Sequence, residues 1–106
     1  MRREDLARAV AEAVIAVPGV AALVPGPPDG FSVEASTQFS GGKVIGLRLS
    51  TDPVEVHIRA DRVPLPPVAD GVVAAARRVL HAAGDDRAVR VVVVDVVEDA
   101  LHRRGF

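Results

Sequence analysis

The segment from Val54 to Asp99 constrains the fold of this chain more than any other. It reads as an alternating strand, VEVHIRA, a proline-marked helix, PLPPVADGVVAAARRVL, and a valine-packed strand, VRVVVVDVVED. A strand, a crossover helix and a second strand in one sheet form a right-handed parallel unit, so Val54–Ala60 and Val89–Val97 are expected to pair in parallel. The helix is expected to begin at Pro66 or Pro67, because a first-turn amide has no intrahelical partner to lose. Val68, Val72, Ala75, Ala76, Val79 and Ala83 give it a core stripe, interrupted by Gly71, and Gly84 ends it before Asp85 and Asp86.

The rest of the chain has to complete that sheet. Leu6, Val10, Ala13, Val14 and Val17 recur at helical spacing, which predicts an amphipathic helix over about residues 5–17, closed by Pro18 and Gly19. Val20–Val24 can be a buried strand, and the following PGPPDG run, Pro25–Gly30, reads as a loop. Phe31, Val33, Ala35, Thr37 and Phe39 alternate with polar neighbours, as do Ile45, Leu47 and Leu49 with the residues between them. With a turn at Ser40–Gly42 these two runs predict a hairpin, and Asp52–Pro53 leads on to Val54 as the third strand of a meander. The expected class is α+β, in the order α-β-β-β-α-β. It is a mixed sheet of about four strands with two helices packed on one face.

At 106 residues the chain has one core, since a domain of this size buries roughly 60–70% of its unfolded surface. The whole of 1–106 is read as a single domain, with 99–106 as a disordered tail. The apolar fraction is 49% with three Phe and no Trp or Tyr, so Val, Leu, Ile and Ala must do the packing. A net charge of −1 offers no basic excess for phosphates, which argues against generic nucleic-acid binding. Without cysteine there is neither a disulfide framework nor a thiolate zinc site. Glu4, Asp5 and Glu12 interrupt the N-terminal apolar run before a secretion signal could form. Ala13–Val24, broken by Pro18 and Gly19, is well short of the ~20 residues of a membrane span.

Chemistry-bearing residues are sparse. His57 falls on the outer face of its strand with Glu55 and Arg59 as i±2 neighbours, a row that could titrate near neutrality or contact a partner; a solvated sheet face is the plainer reading. His81 and His102 have no ligand spacing to each other or to His57, so no metal and no cofactor are expected. Asp85 and Asp86 read as a turn, Glu98 and Asp99 as a strand exit, and Ser40-Gly41-Gly42-Lys43 lacks the spacing and the following helix of a phosphate loop. Val91–Val94 is apolar without alternation, so both faces of the last strand are expected to be dry. Either Val92 and Val94, or Val91 and Val93, then meet another protomer or partner, or the Pro25–Gly30 loop folds over them.

The run GVAALV at 19–24, VEVHIRA at 54–60, the P-hydrophobe-P-x-V-A helix start at 64–69 and VRVVVVDVV at 89–97 together resemble the alkaline shock protein family of bacterial envelope stress response proteins. The resemblance covers most of the chain and is one of pattern and order. It departs at Pro67, where an acidic residue is common, and in the lack of a short strand before the first helix. It implies a small non-enzymatic cytoplasmic protein that gathers at the inner face of the cell membrane through a membrane-anchored partner, self-associates, and supports envelope homeostasis. No active site is transferred by it. The candidate contact surface is Glu55, His57, Arg59, Val92 and Val94. A reading of another class is a small-molecule-sensing α+β domain acting as a dimer, which rests on fold analogy.

Overall fold

The computed structural model describes residues 1–27 and 33–97. Helix α1 spans Arg3–Ile15, and strands β1 (Val20–Leu23), β2 (Ser36–Phe39), β3 (Gly42–Ile45), β4 (Leu47–Arg48) and β5 (Val54–Ala60) follow. Helix α2 (Leu65–Ala82) and strand β6 (Val89–Val96) complete the order. The chain is a single α+β domain with a four-stranded mixed sheet, as its periodicities predict.

Strand β5 is the axis of the sheet. On one side it pairs in parallel with β6, from Val54↔Val89 to Ala60↔Val96. On the other side two short antiparallel strands share its length, β1 along Ile58–Ala60 and β4 along Glu55–Val56. They meet at His57, whose carbonyl accepts from Val24 N–H (3.0 Å) and whose N–H donates to the Gly46 carbonyl (2.8 Å).

The expected meander is therefore cut at Gly46. Its φ of +84° is a conformation that glycine adopts without strain, and a Cβ there would stand 2.9 Å from Leu23 Cβ and from Val24 N. Before the cut, β3 pairs with β2 as a separate two-stranded hairpin, and after it β4 turns to β5. Thr37 holds the two pieces together. Its buried hydroxyl donates to the Leu47 carbonyl (2.7 Å) and accepts from Leu49 N–H (3.1 Å), standing in for a rung of backbone pairing. The hairpin strand predicted from Phe31 is correspondingly shorter. Val33 lies outside β2 and is 79% exposed, while Ala35 and Thr37 are buried and Phe39 half-buried. Phe31 and the tail 99–106 lie outside the described residues.

The core lies between the sheet and the two helices, which pack together on one face of it. Val54, Val56, Ile58 and Ala60 of β5 point inward, against Ala7, Val10 and Val14 of α1 and Val68, Val72, Ala76 and Leu80 of α2. Gly71 of α2 gives room to Val17 in the connection after α1, since a Cβ on it would lie 2.9 Å from Val17 Cγ1. Pro66 and Pro67 sit in the first turn of α2, where their missing amides cost no hydrogen bond. The helix closes with Gly84 at φ +81°.

Beyond that end, Arg87 ties the α2–β6 connection to the rest of the fold. It makes a forked pair with Asp85, at 2.7 Å for the closest contact, and donates to the Leu49 and Thr51 carbonyls after β4. Asp85 is held below the ordinary carboxylate range by the hydrogen bonds from Arg87 side chain and backbone, and the guanidinium is raised in turn, first by its bond to Asp85.

Candidate functional site: the outer sheet face

The face of the sheet turned away from the helices is built by alternation. In β5 the inward residues leave Glu55, His57 and Arg59 on the other side, and the β6 register sets Arg90, Val92 and Asp95 opposite them in turn. A bulge between Ile58 and Arg59 displaces Val94, which has no opposite residue on β5. All five candidate residues are thus on two adjacent strands. Val91 and Val93 face the core, which decides between the two expected pairs: Val92 and Val94 are the outer ones.

His57 corrects the expectation of a solvated row. It is only 8% exposed, because its strand is the central one, with β6 on one side and the β1–β4 junction on the other. Its Nε2 lies 3.1 Å from Glu55 Oε1, and its Nδ1 is buried with no hydrogen-bond partner among the described residues. A proton on Nε2 satisfies Glu55 and leaves Nδ1 as a bare acceptor, the less costly atom to leave unpaired. Glu55 is half-buried and also 3.7 Å from Arg48 Nη1. Its carboxyl is held below the ordinary range, first by the hydrogen bond with His57, with burial opposing as the second effect and the charges of Arg48 and Arg90 lowering it further.

Arg59, by contrast, is exposed and pairs with Asp95 at 3.4 Å. The valines are half-buried rather than dry. Val94, Asp95 and Arg59 form one wall of an open cavity of about 420 Å³, and Val24, Pro25 and Gly26 form the other. Pro25 and Gly26, at the start of the Pro25–Gly30 segment, share this cavity with Val94. The remainder of that segment from Pro28 lies outside the described residues.

The arrangement is an apolar pair inside a charged border, Val92 and Val94 among Glu55, Arg59, Arg90 and Asp95. Sequence periodicity could find the row but not its graded burial. Asp95 and Arg90 were missed as members of the face, although their signal, charges flanking a valine run, is visible in the sequence. Among the described residues no three metal-ligating side chains are grouped, and no helix is long and apolar enough to cross a membrane. Comparison with protein families, with curated proteins and with solved structures finds no match.

Proposed function

We propose that this protein is a non-enzymatic interaction module of the envelope stress type, which self-associates and is held at the inner face of the cell membrane by a membrane-anchored partner. The observation that carries the reading is the outer sheet face. There Val92 and Val94, half-buried on a pleated surface, are bordered by Glu55, Arg59, Arg90 and Asp95, the apolar centre and polar rim of a docking patch. The sequence resemblance to alkaline shock proteins supplies the class of process and the cytoplasmic, membrane-peripheral location.

The test is fractionation of native cells carrying a tagged copy, with and without crosslinker. Sedimentation with membranes and co-purification of an integral membrane protein are expected, and Val92→Glu is expected to release the tagged copy to the soluble fraction. A wild-type copy that stays in the soluble fraction with no partner sinks the proposal. The second reading, a small-molecule sensor, is favoured by the cavity between Pro25 and Val94, whose volume falls within the ~300–1,000 Å³ of small-molecule sites. It predicts a metabolite-dependent rise in melting temperature.

A further inference from the structure

We infer that the free edge of β6 is the self-association site, where a second copy adds its own β6 antiparallel about a two-fold axis through Val92. This deepens the self-association of the proposal above and rests on it. The backbone leaves Val91 or Val92 as the place of the axis, and the side chains select Val92.

Val54 N–H donates to the Ala88 carbonyl at 2.9 Å, which fixes the phase of the parallel ladder. Alternation then sends the N–H and C=O of Arg90 and Val92 to β5, and those of Val89, Val91 and Val93 away from it. Among the described residues no strand pairs with that outward edge. Beyond the bulge the edge is closed by its own side chain, since Val96 N–H donates to Asp95 Oδ1 at 2.8 Å. The open stretch is thus Val89–Val93, apolar apart from Arg90 and free of proline and lysine. Natural proteins usually blunt such an edge; here the bulge and Asp95 guard its far end, and Arg90 is the one charge along the open stretch.

Charge order selects a second copy as the occupant. On the outer face Arg90 precedes Val92 and Asp95 follows it, with the bulge bringing Asp95 rather than Val94 into step with its β5 neighbour. Rotation about Val92 sets Val91 opposite Val93 of the second copy, a hydrogen-bonded pair made twice. It also sets Arg90 opposite Asp95 of the second copy, again twice. A parallel, in-register approach would oppose Arg90 to itself. The helix layer repeats the order. Helix α2 packs over β6 with Asp70 in its first half and Arg77 and Arg78 in its second, and the same axis inverts it. An isologous interface requires this self-complementarity.

The experiment is sedimentation equilibrium of the purified full chain over a range of concentrations. Wild type is expected to dimerise. Arg90→Glu is expected to weaken the dimer about tenfold or more, because both cross-strand pairs become like-charged. Asp95→Arg is expected to do the same. The two variants mixed together are expected to form a heterodimer, since every pair across the axis is then of opposite sign, and a misfolded variant could not. A wild type that stays monomeric, an Arg90→Glu dimer as tight as wild type, or a mixture that forms no heterodimer each overturns the edge dimer. Because only purified protein is used, that failure stands apart from failure to find a membrane partner in cells.

Discussion

Two buried residues carry constraints out of proportion to their size. Gly46 combines a positive φ with close approach to Leu23 and Val24, so Gly46→Ala is expected to cost about 2–4 kcal/mol in chemical denaturation, from backbone strain plus overpacking. Thr37 satisfies one carbonyl and one amide of the β4 segment. Thr37→Val keeps the shape and strands both groups, with an expected loss of about 1–3 kcal/mol, and Thr37→Ser is expected to recover most of it. Neither role could be read from the sequence. Thr37 fits the core-facing alternation of its strand, but only the tertiary fold tells which backbone groups it reaches. Gly46 occupies an ordinary place in the 44–50 alternation, and nothing local marks it as a cut. His57 makes the complementary point: periodicity places it on the outer face, and its burial comes from strands on both sides of it.

At the scale of elements, the strand–helix–strand unit was legible almost whole. Period-2 alternation, prolines opening α2 and the crossover rule together predict the parallel β5–β6 pair, and α2 starts at Leu65, next to Pro66. Leu80 was missed because the stripe was traced through Val79 and Ala83, although Leu80 is fully buried. Leu80→Ala is expected to destabilise by about 2–5 kcal/mol, read as a shift of the denaturation midpoint at unchanged slope. The packing of α2 against the connection after α1 depends on Gly71. Alanine is the better helix former, yet Gly71→Ala would press Cβ against Val17. The expected result is a net loss of stability that shrinks in a Val17→Ala background, measured as the coupling in a double-mutant cycle.

For the whole molecule, acid is the informative variable. Asp85 and Glu55 both have folded-state carboxyls below their ordinary range. The unfolded chain therefore takes up their protons first as pH falls. The stability they contribute is complete above about pH 4–5 and is lost as pH drops through their lower folded values. The melting temperature is expected to decline through that acid window. Arg87→Ala is expected to flatten the decline by removing what holds Asp85 down, and to lower stability at neutral pH by about 1–3 kcal/mol through the lost charged hydrogen bonds. The Arg87 clamp was legible only as a turn, because its carbonyl partners at Leu49 and Thr51 are 38 and 36 residues away.

The meeting of β1 and β4 on a single residue of β5 gives the chain a side branch. Val24 and Gly46 occupy the two backbone groups of His57, so the chain leaves the central sheet after the one and rejoins it at the other on a single rung. Length added or removed within that branch, away from Ala35 and Thr37, does not shift the register of β5 against β1, β4 or β6. It is the natural port for grafting a foreign peptide or reporter while the central sheet is kept.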